Sequence, residues 1–397
     1  MSPRPALLLA AIFVASCAGT ASAPPSVGTP APATASPPSS PSATTISSPS
    51  ISPPAAATWT VVGKLRTGRS QHTATLLQDG RVLVVGGIGP DKPLDGGVTA
   101  GDVLATVELY DPLLRIWRPG HSMSTPRLGH IAILLLDGRV LVAGGMDTAP
   151  VPGCDTSSCN LAMTSAELYD PTTNTWRRTG SMHKRRNNPA VARLEDGRVL
   201  VESDGTAELY DPVAGTWAVT GSLARLAYGG DATLLPDGTV LLSSGGDGSG
   251  VELPSERYDP STGHWSEVGA MPRQINGHAV RLAEGRVLAV GQDGAVTFDP
   301  QTDTWRSTGS MVHAGQIDGA ALLPDGRVLI MGTIDPYYSG VTDPVQLYDP
   351  ASDTWRAVPG PSHAHPGSTV TTLSDGSVLV AGGYDGRGLA DLYTPGG

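Results

Sequence analysis

The chain has 397 residues, a formal net charge of −11, 50 glycines, 35 prolines and only 16% charged residues. So much glycine and proline excludes a helical bundle or coiled coil, and the acidic balance excludes a nucleic-acid surface built on bulk charge. Length alone would suggest two or three domains. In chain order, the first segment is an address rather than a fold. Arg4 precedes an apolar run from Ala6 to Ala15, too short to cross a bilayer as a mature helix, and small residues follow, as in a secretory signal peptide. From Ala18 to Ala57 the chain is almost wholly Ala, Ser, Pro and Thr without charge. Such a stretch cannot bury enough apolar surface to offset its ordering entropy, so it reads as an extended tether.

The residues Val14-Ala15-Ser16-Cys17 resemble the bacterial lipobox. That resemblance implies cleavage before Cys17, diacylation of its thiol and anchoring to a lipid bilayer. Residues 1–16 are then a lipoprotein signal peptide and residues 17–57 the tether. With Cys17 lipidated, Cys154 and Cys159 remain. A local disulfide is expected in an oxidising compartment, rather than a metal pair, since no second Cys or His pair stands nearby at ligand spacing.

From Trp59 onward the chain repeats. An acid-Gly-x-Val-Leu signal starts at Asp79, Asp137, Asp196, Asp237, Glu284, Asp325 and Asp375. An aromatic-x-Pro signal follows at Tyr110, Tyr169, Tyr210, Tyr258, Phe298, Tyr348 and Tyr393. Trp117, Trp176, Trp217, Trp265, Trp305 and Trp355 come next, and the seventh Trp, Trp59, stands at the other end of the repeat region. Each unit predicts four short antiparallel strands, A to D. Gly after the acid makes a tight A–B turn. Strand B is continuously apolar and so buried on both faces. Strand C carries the Tyr, Asp-Pro interrupts pairing, and strand D carries the Trp. Units of about 50 residues with four strands each are propeller blades.

Strand, Gly-Gly (Gly86-Gly87, Gly144-Gly145, Gly245-Gly246, Gly382-Gly383), Tyr and Trp together resemble the kelch repeat. The Asp-Gly-Arg-Val-Leu and Glu-Leu-Tyr-Asp-Pro forms are similar to those of galactose-oxidase-like kelch propellers. The resemblance implies an all-β, seven-bladed β-propeller over residues 58–397. Ser203-Asp204, Gly291-Gln292 and Gly332-Thr333 depart from Gly-Gly in blades 3, 5 and 6. WD and sialidase Asp-box patterns do not recur. The last unit lacks its Trp and the first strand, around Thr58–Val62, lacks its Tyr. The N-terminal strand is therefore expected to close the ring as the outer strand of blade 7.

With strand A innermost, A–B and C–D turns share one uniform face, and B–C loops and D–A crossings share a variable one, where function usually resides. The candidate ligand-binding residues there are Tyr228, Asp231, Asp318, Tyr337, Tyr338, His363, His365, Tyr384, Arg69, His72, Arg127, His130 and His278. For His72, His130 and His278, the competing role is hydrogen bonding between blades. Arg69, Arg127, Arg186 and Arg273 precede strand A in four blades, and Lys184-Arg185-Arg186 reads as a solvated patch. His363-x-His365 alone has too few ligands for a metal.

The copper-radical oxidases of the resembled family use a Tyr-His dipeptide and a Cys–Tyr cross-link. This chain has no Tyr-His, so that activity is not expected, and no cofactor is assigned. No nucleophile elbow or Walker loop occurs. The reading is a membrane-anchored, extracytoplasmic binding module for a glycan, a peptide or an envelope protein, with no nucleic-acid partner. The alternatives are a sugar isomerase or lyase on the same face, and a structural envelope protein.

Overall fold

The computed structural model describes residues 56–396, apart from residues 91, 94–98, 148–161, 225–229, 244–253, 274, 276 and 334–343. The N-terminal address and tether, Cys17, Cys154, Cys159, Tyr228, Tyr337 and Tyr338 lie outside the described residues.

Seven four-stranded antiparallel sheets form the blades of a propeller. Blade 1 shows the plan: strand A is Thr73–Leu76, B is Val82–Val85, C is Val107–Asp111 and D is Ile116–Pro119. Each A strand touches the A strands of both neighbouring blades, in a complete circle, so A is innermost. Blade 7 takes its strands A to C from Thr369–Thr372, Val378–Ala381 and Leu389–Thr394. Its outer strand is Thr58–Lys64, which pairs antiparallel with Leu389–Thr394 and sets Trp59 opposite Tyr393. The ring closes as the unmatched Trp and Tyr require.

The A–B turns are identical in construction. In blade 1 the Gly80 amide donates to the Leu77 carbonyl at 3.1 Å and the Leu77 amide to the Arg81 carbonyl at 2.8 Å. Gly80 has φ 85°. This is a type I turn closed by a glycine bulge, with the acid inside the turn and Gly in the left-handed position. Arg81 folds back onto Asp79 and also donates to the Pro171 carbonyl of blade 2. Arg139 and Arg198 repeat the stitch to Pro212 and Pro260. Blade 4 has Thr239 where this Arg would stand. Arg257, from its strand C, takes over, bonding Asp237 and reaching Asp303 of blade 5 at 2.6 Å.

Seven apolar clusters hold the ring together, one at each blade-to-blade interface. Strand B explains its own composition. Val82 and Val84 pack toward blade 7, while Leu83 and Val85 pack toward blade 2, so both faces meet protein and no position tolerates exposure. The strand C aromatic ring points to the preceding blade, as Tyr110 does into the blade 7–blade 1 cluster. Across the C–D strand pair it faces its Trp with ring centroids 4.8–5.1 Å apart in all seven blades.

A candidate ligand groove over blades 7 and 1

Strand C carries a polar residue two positions before its aromatic in six blades: Glu108, Glu167, Glu208, Glu256, Gln346 and Asp391, all buried. Blade 5 has Val296 there. The polar side chain receives the crossing that enters its blade. Glu108 accepts the Arg66 and Thr67 amides, and Gln346 those of Val312 and His313. In blades 1 to 3 an Arg completes the arrangement. Arg69 bonds Glu108 at 3.0 Å and donates to the carbonyls of Gly86 and Thr106, which end strand B and begin strand C. Arg127 does the same with Glu167, Gly144 and Ser165, and Arg186 with Glu208, Ser203 and Thr206. Each Arg is a clip across the base of a B–C loop.

The clip also explains Gly-Gly. The Gly87 amide donates to the Arg127 carbonyl, Gly145 to Arg186 and Gly383 to Arg69, each at 2.8 Å. A Cβ on Gly86 would lie 2.5 Å from the Arg127 carbonyl oxygen. The pair is glycine because the next blade's crossing lies against it. Blade 3 instead closes its B–C connection with a two-residue Asp204-Gly205 turn, φ 52° and 70°, the hairpin turn suited to strand twist.

These contacts place several sequence candidates inside the scaffold. Arg69, Arg127, His72, His130 and His365 are buried. His72 bonds Thr369 of blade 7 and His130 bonds Thr73 of blade 1, at 3.1 and 3.0 Å, so both join neighbouring blades. Burial, with the nearby Arg69 and Arg127 charges adding, pushes both imidazoles down to about 3. Arg186 is not part of a solvated patch: it is buried against Glu208, because the crossing turns it inward while Lys184 and Arg185 stay exposed. Arg273 does not share the clip either. It is exposed and bonds the Asp293 carbonyl, standing two residues after Met271 where Arg69, Arg127 and Arg186 stand four after Leu65, Met123 and Met182.

The remaining candidates sit around the inner rim of the variable face. Asp231 accepts the Ala279 amide at 2.8 Å and lies 3.9 Å from the His278 imidazole. Asp318 accepts the Gly367 amide at 2.9 Å. His363 is half-buried and bonds Ser362. Glu202, missed in the sequence, lies inside blade 3 at the end of strand B, where Val85 and Ala143 stand in blades 1 and 2. Burial pushes its carboxyl up to about 7, opposed by the Gly205 amide it accepts at 3.0 Å. A charged residue in an otherwise apolar strand B was its available signal.

Among the described residues, a groove of about 600 Å³ opens on this face, within the size range of small-ligand sites. Its lining comes from B–C loops and D–A crossings of blades 7 and 1, with Gln316 from blade 6. Tyr384, 49% exposed, Asp385 and Arg387 come from the blade 7 loop, and Gln71 and Pro90 from blade 1. A Cβ on Gly367 would overlap the Tyr384 ring, and the Tyr384 amide donates to the Pro366 carbonyl at 2.7 Å. The ring is thus seated on the crossing while one side faces the groove.

Residues 127–183 match the kelch motif. The matched segment begins at a clip Arg and runs through blade 2 and its Tyr169–Trp176 pair. Two kelch proteins are similar in part. The F-box/kelch-repeat protein SKIP30 of Arabidopsis thaliana is 29% identical over 34% of this chain and 35% of its own length. Kelch-like protein 33 of Homo sapiens is 32% identical over 23% of this chain and 15% of its own. The matched parts thus span about a third or less of these relatives. Among solved structures, a fungal alcohol oxidase of the AA5 family, in complex with copper, has the same fold. The TM-score is 0.64 at 15% identity, covering 85% of this chain and 76% of that one. Among the described residues, no group of three or more His, Cys, Asp or Glu side chains is arranged to hold a metal ion.

Proposed function

We propose that this kelch propeller is an extracytoplasmic binding module, held at a membrane by a lipidated Cys17 and the 17–57 tether, that takes a glycan or an exposed peptide segment in the groove over blades 7 and 1. The groove carries the reading. It offers one exposed aromatic face, a guanidinium, a carboxyl and an amide within one concave site, the mixture that holds a polar ligand by stacking and directed hydrogen bonds. The Val14-Ala15-Ser16-Cys17 sequence and the charge-free tether support the anchored placement. Binding of the soluble 58–397 domain to glycan and envelope-peptide arrays tests it. Tyr384→Ala and Arg387→Ala are expected to lower affinity for the captured ligand at least about tenfold. Unchanged affinity in both variants would refute the groove. Metabolic labelling with a radiolabelled fatty acid tests the anchor, with Cys17→Ala expected to abolish incorporation.

A second reading, a sugar isomerase or lyase, draws on the half-exposed Asp231–His278 pair. Turnover of an envelope sugar that is lost in His278→Ala would favour it.

A further inference from the structure

Blade 7 replaces the clip of blades 1 to 3 with a different pair of side chains. Where those blades set a buried Arg against Glu, blade 7 sets buried His365 against buried Asp391. The long cation and long acid have been exchanged together for a short cation and a short acid. His365 spans the same two places. Its Nε2 lies 2.7 Å from Asp391 Oδ2, and its Nδ1 lies 3.2 Å from the carbonyl oxygen of Gly382. Gly382 begins the loop that carries Tyr384, Asp385 and Arg387 into the groove.

A backbone carbonyl and a carboxylate can only accept hydrogen bonds, and a neutral imidazole has one N–H to give. From this geometry we infer that His365 is a buried imidazolium, a positioning residue that holds the groove loop of blade 7 closed only while it keeps both protons. In blades 1 to 3 the clip is an Arg, which does not titrate in the working range of a protein. In blade 7 it is the one side chain that does. Loss of a ring proton leaves a single N–H. The buried carboxylate retains it, because an unpaired buried charge costs more than an unpaired carbonyl. The Nδ1 lone pair then opposes the Gly382 oxygen, and the loop base is released.

The charged and titratable surroundings are consistent with this direction. Asp391 comes from strand C. His363, on the same crossing, stands 3.8 Å from Asp391 and bonds Ser362. From blade 1, His72 packs against Gly382, with its imidazole pushed down to about 3 and therefore neutral. The Arg69 guanidinium turns away to Glu108, while its carbonyl accepts the Gly383 amide. On the blade 6 side, Asp318 accepts the Gly367 amide. The sign follows for a cation stabilised by its acid partner: the clip is complete at low pH and lost as pH rises through the folded-state pKa of His365.

The protonation state is independent of the groove reading; its effect on a ligand rests on that reading. The test uses the full folded domain with ¹⁵N-labelled histidine. Nitrogen shifts are expected to show both ring nitrogens of His365 protonated at about pH 6; a ring with one protonated nitrogen there overturns the proposal. Hydrogen exchange of the Gly383 and Tyr384 amides, corrected for intrinsic base catalysis, is the second readout. Protection is expected to fall at least about tenfold between about pH 6 and pH 9 in the native domain. It is expected to stay level in the double variant H365R/D391E, which restores the clip of blades 1 to 3. Equal pH dependence in both proteins overturns the loop-holding role. Should the double variant not fold, the ring spectrum and the native exchange profile still decide. Ligand affinity that ignores Tyr384→Ala while His365 is doubly protonated would sink the groove reading and leave the clip standing.

Discussion

Trp59 and Tyr393 lie directly opposite each other on the two strands that join the ends of the propeller, ring centroids 5.1 Å apart and planes inclined at 55°. Six blades form this pair within one hairpin; blade 7 forms it across 334 residues of chain. The Trp59 Nε1 also donates to the Pro359 carbonyl of blade 6 at 2.7 Å.

Trp59→Ala therefore removes a ring contact, a hydrogen bond and part of the seal between blades 6 and 7. The expected cost is about 3 kcal/mol, read as a lowered urea midpoint. Deleting residues 57–63 opens the ring and is expected to lower the melting temperature far more. An unchanged melting curve would show that the closing strand is dispensable.

Burial separates two kinds of Arg–acid pair. Arg127→Ala leaves Glu167 buried without its cation and strips donors from the Gly144 and Ser165 carbonyls. It is expected to cost about 3–5 kcal/mol. Arg139, paired with half-exposed Asp137 on the uniform face, is expected to cost less than about 1 kcal/mol on change to Ala. Paired denaturation curves check the contrast.

Glu202 makes the fold sensitive to alkali. Its carboxyl is pushed up to about 7 by burial, above the ordinary value of an unfolded chain. Its contribution is thus fully present below about pH 4.5 and is lost as pH rises through 7. Glu202→Gln keeps an acceptor for the Gly205 amide and removes the charge. The variant is expected to be more stable than the native protein by about 2 kcal/mol at pH 8 and equal to it at pH 4. A gain of the same size at both pH values would count against the assignment.

His72 and His130 act in the opposite window. Both are held neutral, pushed down to about 3, whereas the unfolded chain protonates near 6.5. A basic group depressed in the fold contributes no loss above pH 6.5. It destabilises progressively as pH falls toward 3, by up to about 1.4 kcal/mol per pH unit for each ring. Proton NMR is expected to show neither ring titrating between about pH 7 and pH 4.

Much of the architecture was legible because it repeats. One blade's evidence for a turn, an apolar strand or a Tyr–Trp pair is weak, but seven copies in phase are not. The unmatched Trp59 and Tyr393 further specified how the ring closes. The candidate residues were less legible. Arg69 and Tyr384 were both read as facing a ligand, and both line the groove, yet one is buried in a clip and the other is half exposed. Both stand next to glycine, and local sequence does not reveal which way a crossing turns its side chains. Arg273 and Arg186 show the same limit: each precedes a strand A, but a two-residue difference in spacing separates solvent from a buried ion pair.

By itself, then, the sequence determined the blade count, the strand order and the seam, because these follow from local hydrogen-bonding and burial patterns that recur. The tertiary structure alone decided that the polar residues two places before the aromatic in six blades receive the incoming crossing, that Gly-Gly lies against the next blade, and that His365 stands in the place of an arginine. Those relations join residues of different strands and blades, and their energies depend on distance and burial, which exist only once the ring has closed.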